Sequence, residues 1–341
     1  MVYITKLRTG FLRAITVLII ICMGITGLSA CGKKYAPIPS TEDDLRVVMT
    51  IDGFEVPYEQ YRYFFLNYKK EIEDGNPTIW DGPQAAELEA ELEKAVISAL
   101  KGVYATLSLC NEYGININDA VVKEYVNDFI VETINEFGGR DKYLKELASK
   151  NMNDSTFRFF MGLDKCESEL YAVLTTGLNI IPSDEESVMT YLNSDSMIRV
   201  VHILIQNDEG DDIDDNRALA EDVLAKALSG DDFNSLIRDY SEDYLMTTDG
   251  YYITPLDMIE AFEKAAYELE VNEISDVVET YLGFHIIKRL PKSSTYISKH
   301  FDELKLKYLN SEFYSIIEEK KKTLNHVPTE FYKSLSIKTV Q

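Results

Sequence analysis

Histidine is scarce in this chain. There are four among 341 residues, alongside four cysteines, one tryptophan and nine prolines. No Cys-x-x-Cys pair and no Cys/His cluster occurs, so the spacing offers no metal site, and no cofactor motif appears. Basic residues are outnumbered 34 to 58, giving a net charge of −24. A nucleic-acid binder would need a basic face, and this composition denies it one. Disorder is equally excluded. Hydrophobic residues make up 45% of the chain, enough for real cores, and the length suggests two or three domains.

A full membrane-spanning run is also missing. The apolar stretch Ala14–Leu28 is fifteen residues long, against the roughly 20 that a spanning helix needs. Its length suits the hydrophobic region of an export signal, and Lys6, Arg8 and Arg13 before it supply the positive flank. Leu28-Ser29-Ala30-Cys31 follows. This resembles the lipobox of bacterial lipoproteins, which implies a signal peptide over 1–30 and a lipidated Cys31 as the mature N-terminus. Acyl chains would then tether the protein to the outer face of a cell membrane. Loss of the three basic residues takes the net charge from −24 to −27. Residues 31–45, polar and with two prolines, read as the tether. Cys110 and Cys166 remain in helix-like segments. An export setting permits a bridge, but their spacing demands none, and two small buried side chains are the better reading.

Beyond the tether, 46–190 reads as a helical module. It opens with a strand, VVMTI, closed by an Asp-Gly turn, and continues through a helix whose Tyr61, Phe64, Phe65 and Tyr68 form one apolar stripe. This stripe suits a core better than a binding groove. Four more helical patterns follow, the last with Ser155 as its expected N-cap. From 195 to 292 the pattern changes to strand, helix, short helix, strand, helix, strand, an α+β unit. One further amphipathic helix occupies 293–341 and is expected to pack back on the earlier helices.

Two of the four histidines sit inside strand patterns: His202 in RVVHILIQ and His285 in TYLGFHIIKRL. In the second, Phe284, Ile286 and Leu290 share one face, and His285, Ile287 and Arg289 the other. Satisfied core histidines are the plain alternative. The segments VVHILI, DDFNSLIRDYSED, MIEAFEKAAYELEVNEIS and VVETYLGFHIIK, in this order, resemble a parvulin-type peptidyl-prolyl isomerase domain. The flanks VVMTIDGFEVPYEQY and NEYGININDAVVKEYVNDFI resemble the chaperone module of PrsA-type and SurA-type foldases, and lipobox, flanks and core together resemble the PrsA-type foldase lipoproteins. The resemblance implies an α+β fold, with a small antiparallel sheet flanked by helices inserted into an all-α chaperone-like module. It implies isomerisation of X-Pro bonds in unfolded or partly folded exported proteins. It implies no cofactor, no metal and no nucleic acid, and it leaves room for a homodimer.

The same resemblance assigns the site. His202 and His285 are the paired imidazoles, Thr280 their hydroxyl partner and Asp243 the carboxylate beside the substrate carbonyl. Met258 and Phe262, at i and i+4 on one helix face, form the apolar cup for the proline ring. Tyr252 stands where leucine is frequent, and Leu282 where a small or polar residue is. Phospho-specific members carry Arg or Lys after the first strand. Here Asp208–Asp215 holds six carboxylates, which argues for unphosphorylated substrates and reads as a solvated loop; its spacing is not that of an EF-hand. Two rival readings are a holdase chaperone with a weak or silent isomerase core, and a solute-binding lipoprotein. The latter needs a second parallel sheet, of which the sequence gives no sign.

Overall fold

The computed structural model describes residues 35–73, 75–208, 212–247 and 249–340. The signal peptide, Cys31 and Glu209–Asp211 of the acidic loop lie outside the described residues. Contacts divide what is described into two units, 35–177 with 316–340, and 178–315.

In the first unit, β1 (Val47–Ile51) and β2 (Phe54–Pro57) form a hairpin. Its turn residues Asp52 and Gly53 both take positive φ, the geometry that Asp-Gly turns supply. The helices α1 (Tyr58–Glu73), α2 (Ala85–Glu112), α3 (Ala120–Glu136), α4 (Arg140–Ser149) and α5 (Asp154–Ala172) follow. The α1 stripe is core: Tyr61, Phe64, Phe65 and Tyr68 are all buried, and Phe64 meets Phe160 of α5 edge to face at 5.8 Å. Trp80 is buried too, its indole N–H donating to Glu73 Oε1 at 2.8 Å. The cap of α5 is Asn153, whose side chain accepts from Thr156 N, and not Ser155. An Asn two positions upstream reaches the first-turn amides, while Ser155 is already inside the helix and bonds Glu59.

The second unit begins with α6 (Glu185–Asn193), capped by Asp184. Next come β3 (Ile198–Gln206), α7 (Ile213–Ser229), α8 (Phe233–Tyr240), β4 (Tyr251–Ile253), α9 (Glu260–Glu268), β5 (Val278–Thr280) and β6 (Gly283–Leu290). The strands form one antiparallel sheet in the order β4-β3-β6-β5. One face carries Val201, Ile203, Ile205, Phe284 and Ile286, covered by apolar residues of α7 and α8. The opposite face carries Ile198, Val200 and Ile287, covered by Phe262, Ala266 and Leu269. Two glycines are obligatory. At Gly283 (φ +137°) a Cβ would collide with the Ile205 carbonyl, and at Gly250 (φ +67°) with that of Val200.

The chain continues into α10 (Ser294–Lys299) and α11 (Phe301–Thr323). Residues of α11 up to Ser315 group with the sheet unit: Tyr308 packs its ring at a tilt against Tyr191 of α6 at 4.6 Å, and its hydroxyl donates to Pro182 O. This unit is thus wider than the 195–292 read from the sequence. From Ile316 the chain groups with the first unit. There β7 (His326–Pro328) pairs with β1, and α12 (Glu330–Lys333) follows. The first unit is therefore mostly helical but not all-α. It holds a three-stranded sheet, β2-β1-β7, whose third strand is three residues with a proline, too short to announce itself.

Candidate active site

The site grows from the pleat of β3 and β6. Residues alternate across a sheet, so a register that pairs Leu204 with His285 and His202 with Ile287 puts both imidazoles on the α9 face, diagonal to one another. Their Nδ1 atoms lie 3.2 Å apart. The β4 pairing stops at Val200, which leaves the edge of β3 open beyond it. The loop after α8 closes that edge: Glu242 N–H donates to Leu204 O, Leu204 N–H to Ser241 Oγ, and Gln206 N–H to the Glu242 carboxylate. That lacing carries Asp243 to His202, where Oδ2 lies 2.9 Å from Nε2. At the other end His285 Nε2 lies 2.8 Å from Thr280 Oγ1 on β5. Leu282 N–H donates to the same hydroxyl oxygen.

The result is one unbroken polar chain: Tyr251, Asp243, His202, His285, Thr280. The Asp243 carboxyl is held down at about 2, first by its hydrogen bond with His202 and then by that with Tyr251, against the opposing effect of burial. It is therefore an acceptor and takes the Nε2 proton of His202. His202 Nδ1 and His285 Nδ1 share the next contact, and His285 Nε2 and Thr280 Oγ1 the last. Burial is the main force pushing His285 down to about 3, with His202 second, so its ring is neutral at ordinary pH. Both rings are almost fully buried, and Phe262 stands edge-on over both, at 5.2 Å from His202 and 5.3 Å from His285.

The structure brings His202, Asp243, Thr280, His285 and Phe262 together. Met258 packs half-buried against the cluster that holds Phe262. It does so from the loop before α9, which begins only at Glu260, so the two do not share a helix face. The carboxylate of Glu263 returns to accept from Met258 N–H, fixing that loop. Leu282 sits exposed in the β5–β6 turn at the rim.

Tyr252 is a correction. It points through the other side of β4, where its ring lies flat on Tyr296 at 4.7 Å and its hydroxyl accepts from Ser293 N–H. Its neighbour Tyr251 occupies the site instead, donating to Asp243 Oδ2 at 2.8 Å. The alternation of β4 against β3, with Tyr251 opposite Val200, is the signal that could have found it. Among the described residues no group of three or more His, Cys, Asp or Glu could hold a metal ion, and no helix is long and apolar enough to cross a membrane. An open cleft of about 360 Å³ lies in the other unit, lined by Pro37, Ile117, Lys123, Val126, Arg158 and Phe159.

Residues 188–293 match the family model of the PPIC-type PPIASE domain. Fold and site together define a parvulin-type peptidyl-prolyl isomerase. The Foldase protein PrsA of Caldanaerobacter subterraneus subsp. tengcongensis is 26% identical over 331 residues, 94% of each chain. That of Geobacillus kaustophilus is 35% identical over 126 residues, 36% of this chain and 41% of its own. The crystal structure of PrsA from Bacillus subtilis aligns with 86% of this chain and 94% of its own at 18% identity, with a TM-score of 0.27, a global likeness too weak to argue from. The domain match and the relatives mark this chain as a PrsA-type parvulin foldase.

Proposed function

We propose that this protein is anchored through a lipid on Cys31 to the outer face of the cell membrane and there speeds cis-trans isomerisation of unphosphorylated X-Pro bonds in exported proteins. The observation that carries the reading is the polar chain roofed by Phe262. Rotation about a peptide bond faces a barrier of roughly 18–20 kcal/mol, and X-Pro bonds take tens of seconds to exchange. The catalyst needs no covalent step. It needs a dry apolar seat for the proline ring and fixed polar groups that favour the twisted amide over the planar one.

Phe262 and Met258 supply the seat. Asp243 supplies a fixed negative charge beside the turning amide, immobilised by donors on both oxygens, from His202 and Tyr251 on Oδ2 and from Leu245 N on Oδ1. The histidines and Thr280 hold that charge in place from below. Their role is positional, and a neutral His285 suits it because an uncharged ring costs little to bury. Asn207 N–H donates to Leu282 O, which puts Asp208, the first residue of the acidic stretch, beside the rim. The nearby guanidinium of Arg217 is paired with Glu279 at 2.7 Å. A dianionic phosphoserine would meet carboxylates there, and a basic flank would be welcome.

The test is peptide isomerisation by the full chain, comparing wild type with Asp243→Ala on Ser-Pro and phosphoserine-Pro peptides. Faster exchange of the unphosphorylated peptide, lost in the variant, is expected. If neither protein exceeds buffer while both still suppress aggregation of an unfolded client, the chain is a holdase with a silent core. Anchoring is read separately: Cys31→Ala is expected to leave the membrane fraction, and retention of processed protein there would contradict the lipid anchor.

A further inference from the structure

We propose that Cys110 and Cys166 are the two ends of a disulfide that staples α2 to α5. Cys110 lies in the last turn of α2 and Cys166 in the body of α5, helices that pack on one another. Both residues are 0% exposed, and both are free thiols in this structure. Across that packing the two thiols lie close enough to act on one another. One turn before Cys166, Gly162 removes the side chain that would otherwise crowd Ile117, just beyond the end of α2; a Cβ there would come to 3.1 Å of the Ile117 side chain. The absent side chain lets the two segments close up one turn from Cys166.

Other uses of the pair fit less well. A metal site would need more ligands, and none of the described residues completes one. A reactive nucleophile would need an electropositive, accessible thiolate. Here both sulfurs are sealed from solvent; contact with the Cys166 thiol, burial, and the nearby Glu167 and Glu169 hold the Cys110 thiol above its ordinary value, while contact with Cys110 lowers that of Cys166. Two facing thiols sealed in a core, in a chain proposed to work outside the cytoplasm, fit a structural bridge.

The chemistry is thiol–disulfide exchange with an external disulfide of the glutathione class. One thiolate attacks the oxidant's disulfide and releases one thiol. The second thiolate then attacks the mixed disulfide, forming the Cys110–Cys166 bond and releasing the other thiol. The two protein thiols lose two protons and two electrons, and the oxidant takes them up. Closure must precede burial or use local opening, and once made the bond is as sheltered as the thiols were. The cross-link encloses α3 and α4, so it restricts the unfolded chain across a long loop.

The test uses the full chain refolded in oxidised and in reduced glutathione, denatured, alkylated and mapped by mass spectrometry, with thermal unfolding of each sample. The expected result is one linked peptide pair holding Cys110 and Cys166 and lacking two hydrogens. The oxidised sample should melt about 10 °C above the reduced one. Full alkylation of both cysteines in the oxidised sample, or their linkage to Cys22 or Cys31 instead, would overturn the proposal. So would a linked product that melts no higher than the reduced protein. The comparison needs no variant, and X-Pro exchange by the reduced sample reports separately on the isomerase site.

Discussion

The two faces of the β4-β3-β6-β5 sheet are built from the same strands and differ by one residue of register. The α7–α8 face buries an unbroken apolar patch, Val201, Ile203, Ile205, Phe284 and Ile286, against helices, with the charged Arg199, Lys288 and Glu279 at its margins. The α9 face interrupts an equally apolar set, Ile198, Val200 and Ile287, with His202 and His285. The first face holds the unit together, and the second has given up part of its apolar burial to hold a charge network. The polar insertion is tolerated because every member has a partner: Tyr251 and Asp243 close the chain at one end and Thr280 at the other, and the rings satisfy one another between. Stability and chemistry are thereby separated by the pleat, and substitutions on the two faces should divide accordingly.

The largest effect is expected on the apolar face. Phe284→Ala should cost about 3–5 kcal/mol in denaturant unfolding while leaving the exchange rate per folded molecule within about twofold. A rate that falls further than the folded fraction would blur the separation of faces. Next comes pH. His285 has a folded value near 3 against an ordinary 6.5, so between those limits the unfolded chain binds the extra proton. Stability is therefore complete above pH 6.5 and falls as the pH drops through that window, by at most about 1.4 kcal/mol per pH unit from this group. Asp243 acts in the same direction but later. Its depressed value, about 2, gives a contribution present above the ordinary 3.8 and lost as the pH falls towards 2. In His285→Phe the pH 3–6.5 slope of thermal unfolding should flatten; an unchanged slope would mean that this ring is not the buried neutral group.

Smaller effects separate seat from core. Phe262 is 1% exposed and packs with Ile198 and Ile287, so alanine there would remove core as well as cup. Phe262→Leu keeps most of the volume and should stay within about 1.5 kcal/mol of wild-type stability. It loses the edge-on ring over both imidazoles, and peptide exchange should slow about tenfold. Equal rates in the two proteins would remove Phe262 from the seat. The smallest effect tests the adjacent tyrosines. Tyr251→Phe removes one donor from Asp243, worth about 1 kcal/mol, so catalysis should drop about fivefold and its acid limb move to higher pH. Tyr252→Phe loses only the Ser293 contact on the far side and should leave the rate alone. The reverse ranking would show that β4 presents its other face.

Much of this was legible in the chain itself. Alternation around His285 assigns it the face of Ile287 and away from Phe284, as the sheet has it, and the four isomerase segments come in order. The misses share a cause: short elements, where one residue of register decides everything. In a three-residue strand, Tyr251 and Tyr252 are equally good β-formers, and only pairing with Val200 and Arg199 tells them apart. Met258 looked helical because its i+4 partner is Phe262, yet the chain turns into α9 only at Glu260. β7 needs β1, nearly three hundred positions earlier, to exist at all.

The central claim is that Asp243, His202, His285 and Thr280 are one hydrogen-bonded array directly beneath the bound proline. Imidazole nitrogen NMR of the full chain, followed over pH and with an added X-Pro peptide, tests it most directly. The account predicts a neutral His285 ring down to about pH 3, with both ring signals shifting as peptide binds. A His285 that takes up its proton near 6.5, or rings indifferent to a peptide whose isomerisation is being accelerated, would contradict it.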